Sequence, residues 1–338
     1  NYVMKKALLG LIVLSLLFGY LGTPSFAAYP ERNLDGIICW GAGGGTDNTS
    51  RFITPIAEEV LGKKIILQNK PGAAGAVGTT YVYNKPADGY TLLYGAESAN
   101  TFKVLGISKI DYDEFEPIML FLFGVDVICV NPNTPYKTLQ DVVEAVKRNP
   151  KSVKMATSGT GGIPFVLSCL MKKINNVEFN LVGFDGDGPG MTALLGGHVD
   201  MMPLSTIVAG VYDLIKTGQL RPLAVIYDKR LPNLPNVPAI TEIYPEYKKY
   251  LPVGHWYGVF VKKGTPAESI NTLTAAFTKA VNDPRFDEYV NGLNGIKLAL
   301  SGDKAKEFIN RGRSVISWVL YESGAGKVSP AEFGIPKL

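Results

Sequence analysis

The sequence predicts an α/β protein of two lobes, and three observations carry that expectation. Short apolar runs alternate with longer amphipathic segments through most of the chain, the pattern of strands each followed by a helix in a mainly parallel sheet. About 310 residues follow a basic and apolar N-terminal segment, more than one ordinary core organises. Four glycine-rich loops recur, each after an apolar run and ahead of an amphipathic one, which is where open α/β sheets bind ligands.

Taken in order, residues 1–27 read as an export signal. Met4-Lys5-Lys6 is basic, 7–21 is almost unbrokenly apolar, and Thr23-Pro24-Ser25-Phe26-Ala27 ends in the small-x-small pattern of a signal-peptidase site. Cleavage is expected after Ala27. Asn1-Tyr2-Val3 precede Met4 and are read as non-native upstream sequence. No Cys follows closely enough for a lipid anchor, so a freely soluble, periplasmic or extracellular bacterial protein is expected.

Beyond the signal, residues 36–40 form the first strand, which stops at Gly41-Ala42-Gly43-Gly44-Gly45, with Thr46-Asp47 starting a helix that runs over 49–61. Strand 64–68 leads through Asn69-Lys70-Pro71-Gly72-Ala73-Ala74-Gly75 into helix 75–84. Strands 91–95, 117–123 and 126–130 follow, then helix 138–148. Strand 154–157 meets Ser158-Gly159-Thr160-Gly161-Gly162 and helix 164–174. Strand 177–182 meets Asp185-Gly186-Asp187-Gly188 and helix 188–195. Helix 205–217, strand 222–227, a rigid Pro-punctuated stretch at 231–238, strand 256–261 and helices 266–282 and 304–322 complete the chain.

Composition and motifs exclude several functions. Loss of Lys5 and Lys6 with the signal lowers the formal charge from +4 to about +2, and no basic run with interleaved aromatics occurs, so nucleic acid is not an expected partner. Cys39, Cys129 and Cys169 sit in apolar surroundings and read as buried thiols rather than a disulfide framework. The dinucleotide fingerprint fails because Thr46 stands at its third glycine and the next strand ends at Gln68-Asn69, without the ribose-binding acid. No G-K-[ST] follows the glycines, no G-x-S-x-G elbow occurs, and metal spacings of the H-E-x-x-H or C-x-x-C kind are absent. The two histidines, His198 and His255, read as structural or surface residues. No cofactor and no metal are expected, and the chain is not read as an enzyme.

What remains is exposed backbone. A strand, a glycine loop and a helix start make an anion cradle, because loose amide N–H groups and the helix dipole face the loop. A single loop of this kind is explained by the need for a tight turn. Four, divided between two lobes, point to a shared cleft.

At this point the sequence resembles the extracytoplasmic solute receptors of tripartite tricarboxylate transporters, the Bug or TctC-type proteins. The markers are Gly43-Gly44-Gly45-Thr46-Asp47 with Arg51, Asn69-Lys70-Pro71-Gly72-Ala73, Ala87-Asp88-Gly89-Tyr90-Thr91-Leu92-Leu93, Leu195-Gly196-Gly197-His198-Val199-Asp200, and Trp256-Tyr257-Gly258 followed by Gly264-Thr265-Pro266. They run in order from Tyr29-Pro30 to about residue 320. The resemblance implies a type II periplasmic-binding-protein fold, two α/β lobes with a central ligand cleft. It also implies a small organic carboxylate as ligand and the large and small membrane subunits of a transporter as partners. A monomer is expected.

Carried over residue by residue, the family's contacts fall on Gly43, Gly44, Gly45, Thr46, Asp47, Thr157, Gly159, Thr160 and Gly161, largely through main-chain amides and ordered water. Two departures alter the pocket. Phe165 stands where a His is common, and the usual V-P-Y-K-G is Val182-Gly183-Phe184-Asp185-Gly186, which adds Phe184 and Asp185 to the candidate site. An acid in place of a cation disfavours a second or third carboxylate, so a monocarboxylate, aromatic acid or amino acid is favoured over citrate. Asp47 has two readings, a residue steadying the helix start or an acceptor for a hydroxyl or ammonium of the ligand.

The lobes are expected at 29–126 plus 257–338 and at 127–256. Trp40 and Trp256 are expected near the cleft, with Trp318 on a C-terminal helix away from it. A co-receptor docking on a sensor kinase is the alternative role that the sequence leaves open, and a secreted enzyme the third.

Overall fold

The computed structural model describes residues 29–208 and 210–337; the export signal expected over 1–27 lies outside the described residues. The strands are β1 (Leu34–Ile38), β2 (Ile65–Asn69), β3 (Thr91–Ala96), β4 (Phe115–Gly124), β5 (Asp126–Val130), β6 (Lys154–Thr157), β7 (Asn180–Gly183), β8 (Met201–Ser205), β9 (Arg221–Val225), β10 (His255–Lys262) and β11 (Ile296–Leu300). The helices are α1 (Gly45–Leu61), α2 (Ala76–Tyr83), α3 (Phe102–Leu105), α4 (Leu139–Arg148), α5 (Ile163–Asn175), α6 (Asp187–Leu195), α7 (Val211–Lys216), α8 (Ile240–Ile243), α9 (Ala267–Val281), α10 (Pro284–Gly292) and α11 (Gly302–Glu322).

The strands form two sheets. The first has the order β11-β4-β10-β3-β1-β2 and the second β7-β6-β8-β5-β9. Both are mixed rather than mainly parallel. β1 runs parallel to β2 and β3, and β6 parallel to β7 and β8, as expected of strands joined through helices. β10 is antiparallel to β3 and β4, and β5 to β8 and β9. The reversal follows from the connection between sheets, since only Val125 separates the end of β4 from the start of β5 and no crossover helix intervenes.

There are two cores: the first joins the first sheet to one face of the second, where Val127, Cys129, Met202 and Leu204 belong to it, and the second lies on the opposite face of the second sheet. In the first, Tyr94, Phe121 and Phe277 pack with ring centroids 5.7–6.4 Å apart, and the buried Tyr94 hydroxyl lies 2.7 Å from Thr54 Oγ1 of α1. Full burial of each such side chain contributes about 1.5–3 kcal/mol. The second core gathers Val142, Val146, Leu167 and Leu170 around Ile128, Val130 and Met155. α11 serves both: Ala305 and Ile309 belong to the first core, Ile316, Val319 and Leu320 to the second. Trp318, on the same half of α11, packs against the second core. The three cysteines are free and buried.

Five elements are not expected from the sequence: β8, β11, α10 and the single-turn helices α3 and α8. β8 is fully buried and central in its sheet, yet Pro203 at its midpoint argues against a strand, since proline lacks a ladder donor. The helix expected over 205–217 shrinks to α7 because β8 takes its first residue. The strand expected over 177–182 starts only at Asn180, and Val177 and Phe179 are buried without joining the sheet.

Candidate functional site

Four loops converge at the carboxyl ends of β1, β2, β6 and β7. The first follows β1. Gly43 takes φ of +78° with open space about its Cα, a left-handed turn suited to glycine, and Gly44 caps α1 without a side chain. A Cβ at Gly45 would overlap the Tyr257 hydroxyl, so the absence of a side chain lets α1 sit directly on β10. In the second loop Ala73 and Ala74 both adopt left-handed backbone, with φ of +47° and +53°, a conformation uncommon outside glycine and frequent at binding sites.

Across the cleft, the Gly41 N–H donates to the Asp185 carbonyl at 3.0 Å. A Cβ built on Gly188 would stand 2.8 Å from the Ala42 carbonyl oxygen, and one on Gly159 would stand 3.7 Å from the Ala74 amide nitrogen. The two halves therefore meet backbone to backbone. Between them lies a cavity of about 610 Å³, walled by main chain at Gly72, Gly159 and Gly183 and by the side chains of Trp40, Ile107, Phe184 and Pro189.

Of the residues expected at the site, Gly159, Thr160, Phe184 and Asp185 line this cavity. Gly43, Gly44, Gly45, Thr46, Asp47, Thr157 and Gly161 are not among its lining residues. Gly43 N–H donates to Asp47 Oδ2 at 3.0 Å, while Asp47 Oδ1 accepts from Arg51 Nε at 2.8 Å and Asn69 Nδ2 at 2.9 Å. Asp47 thus has both oxygens engaged by the protein and ties the first loop to the end of β2. The Thr46 carbonyl accepts from Ser50 Oγ at 2.6 Å within α1. Gly44 approaches the Asp187 and Gly188 amides, Thr157 is buried beneath Gly183, and Gly161 abuts Thr101 and Leu105. Trp40, Ile107 and Pro189 were not expected as lining from the motifs alone. Trp40, which closes an apolar run just before the first glycine loop, is expected near the cleft, although as an aromatic alone it reads as core. Its indole N–H is buried and has no acceptor among the described residues.

Beneath the loops lies a second group that the sequence did not announce. His255, at the start of β10, places Nδ1 2.9 and 3.1 Å from the two oxygens of Asp126, which opens β5, and Nε2 3.4 Å from Oδ2 of Asp187, which opens α6. Glu97, just after β3, accepts from the neighbouring Trp256 N–H at 3.4 Å. All four side chains are at most a few per cent exposed. Burial raises the Glu97 carboxyl to about 7, and burial likewise raises Asp187. Burial opposes the His255 imidazolium, but Asp126, Asp187 and Glu97 together overcome this and hold it up at about 10. The sequence alone reads His255 as a structural or surface histidine. No local motif links these four positions, because each opens a different element. His198 is on the surface, and among the described residues no group of His, Cys, Asp and Glu is arranged to hold a metal.

Two α/β lobes facing each other across a cavity, with backbone loops at the strand ends, define a solute-binding protein of the type II periplasmic class. The chain belongs to the TctC family, the tripartite tricarboxylate transporter family receptors, whose profile matches residues 50–311. It is similar to Protein BugT of Bordetella pertussis, 27% identical over 334 residues that cover 96% of this chain and 99% of BugT. Among solved structures it is similar to the periplasmic binding protein BugD, with a TM-score of 0.82 and 27% identity over 88% of this chain and 99% of that one. MatC of Rhodopseudomonas palustris, described with bound malate, shares the fold at a TM-score of 0.80 and 24% identity, covering 86% of this chain and all of MatC. The family is one of solute-binding receptors, not of enzymes.

Proposed function

We propose that this protein is an extracytoplasmic receptor that captures one small organic carboxylate between its lobes and presents it to the large and small membrane subunits of a tripartite transporter. The observation that carries the reading is the lining of the cavity: main chain, apolar side chains, the hydroxyl-bearing Thr160, one acid, and no lysine, arginine or histidine among the described residues. Neutral N–H donors can satisfy a carboxylate, directly or through water, without a counter-ion that would slow its release.

Asp185 sets the ligand class. Its charge beside the cavity opposes a second carboxylate, so the site favours a monocarboxylate, aromatic acid or amino acid over citrate. The relatives described with malate and with adipate share the fold at 24% and 22% identity, and their diacids are the natural competitors.

The lobes are assigned as residues 29–125 with 255–338, and 126–254, one or two residues from the boundaries expected from the sequence, because Asp126 pairs within the second sheet and His255 and Trp256 within the first. The chain crosses between them where β4 passes into β5 and at the entry to β10. The second half of α11 extends over the other lobe and straps the two together. Closure then brings the loop after β1 onto the loop after β7. No helix among the described residues is long and apolar enough to cross a membrane, and an exported, monomeric receptor in the periplasm fits the periplasmic character of the BugD relative.

Calorimetry of a panel of benzoate-type acids, amino acids, malate, adipate and citrate tests the reading. One monocarboxylate or amino acid binding one-to-one, with diacids weaker and gaining affinity in Asp185→Asn, is the expected result. A diacid or citrate binding tighter than every monoacid overturns the role given to Asp185, and no binding by any acid overturns the carboxylate reading.

A further inference from the structure

The floor of the cleft poses a charge problem that the ligand site does not solve. One imidazole faces three carboxylates, all buried. Fully ionised, the group would hold more negative than positive charge in the protein interior, which is strongly unfavourable unless protons are retained. The four residues are also divided between the halves of the molecule. Glu97 and His255 sit on elements of the first sheet, at the end of β3 and the start of β10. Asp126 opens β5 of the second sheet, and Asp187 opens α6 beside it. The contact of His255 Nε2 with Asp187 therefore bridges the lobes, immediately below the first glycine loop, where Gly44 approaches the Asp187 amide.

We infer that Glu97, Asp126, Asp187 and His255 form a proton-binding site shared by the two lobes, so that closing the cleft takes up protons and is favoured as the pH falls. The inference rests on the closing-cleft part of the proposed function but not on which ligand is bound.

The sign follows from the groups present. In the closed arrangement burial raises Glu97 to about 7 and raises Asp187, and the carboxylates hold His255 at about 10 against burial. Opening moves Asp187 away from His255 and admits water, which returns each group toward its ordinary range. Every group whose value is raised on closure binds its proton more tightly in the closed form. Its contribution to closure is therefore fully present below the open-state pKa and is lost as the pH rises through the closed-state value. For Glu97 that loss ends near 7, and for His255 near 10. The other titratable groups facing the quartet are Cys39 and Tyr112, near Glu97, and Tyr257, near all three carboxylates. Burial pushes Cys39 to about 12 and both tyrosines well above their usual range, so none of them titrates near neutrality.

The test needs no ligand. Spin labels are attached through cysteines introduced at Val77 on α2 and Leu181 on β7, which are both exposed and lie on opposite lobes. Their distance distribution is recorded by pulsed electron resonance at about pH 8 and about pH 6. The closed-to-open ratio should rise by about tenfold or more on acidification, the Glu97 share alone accounting for about tenfold. In Glu97→Gln, which keeps an acceptor for the Trp256 N–H, the response should shrink by about that factor; Asp187→Asn serves if that variant does not fold. A distribution that is the same at both pH values in the parent protein overturns the inference, as does a response of undiminished size in the variant. Either result leaves the carboxylate reading to its own calorimetric test.

Discussion

At the rim of the cleft the groups that meet are main chain, with the Gly41 N–H on the Asp185 carbonyl and Gly188 packed on Ala42. At its floor they are side chains, His255 among Asp126, Asp187 and Glu97, buried and short of positive charge. The rim is suited to holding an anion that must leave again, because amide donors carry no titratable charge. The floor is suited to holding the two lobes in register, because an ion pair cut off from water gains from an aligned partner and loses heavily without one. In the proposed reading, one closing motion joins a grip made of main-chain amides to a pH-sensitive base.

The largest expected effect breaks the floor. His255→Leu leaves three buried carboxylates without their cation and should cost about 3–5 kcal/mol in denaturant unfolding. The loss should be greatest near neutrality and smaller at both extremes, since carboxyls protonated at low pH no longer need the imidazolium and the imidazolium itself is lost as the pH rises through about 10. A uniform loss across pH would mean that packing, not charge, explains the position.

Next comes a change confined to the rim. Gly188→Ala sets a Cβ against the Ala42 carbonyl, a backbone atom that can yield only if the loops part. Overpacking of this kind costs about 1–3 kcal/mol and should fall on the closed form alone. Affinity should drop by about 5- to 150-fold in calorimetry, with the melting temperature essentially unchanged. A fall in melting temperature with unchanged affinity would remove this contact from closure.

These two variants also show why the sequence was only half legible. The rim announced itself because its chemistry is a run of consecutive glycines, readable wherever a strand meets a helix. The floor did not, because Glu97, Asp126, Asp187 and His255 are brought together only by the sheet order. His255 in isolation looks like any histidine before a strand. β8 was hidden for a local reason, since Pro203 masks a buried central strand. Asp47 illustrates the opposite case. Its position in the first turn of α1 suggested both a scaffold and a ligand role, and the partners Gly43, Arg51 and Asn69 occupy both of its oxygens.

Asp47→Asn sharpens that point with a smaller effect. Loss of the charge from the helix start and from the Arg51 pair should cost about 1 kcal/mol of stability, with ligand affinity kept within about twofold. A large loss of affinity at unchanged stability would return Asp47 to the binding site. The smallest effect on binding is expected far from the cleft. Trp318 Nε1 donates to the Ile335 carbonyl at 3.2 Å, so Trp318→Phe should cost about 0.5–1.5 kcal/mol and leave ligand-induced changes in emission intact.

The central claim is that the lobes close on a carboxylate beside Trp40. It is tested most directly in a variant keeping Trp40 as the single tryptophan, titrated with the acid that binds tightest in calorimetry. Closure makes the surroundings of the indole drier and more rigid, so its emission should shift and saturate at one ligand per protein, with the calorimetric affinity. Tight binding by calorimetry with flat Trp40 emission would contradict closure of the cleft around the ligand.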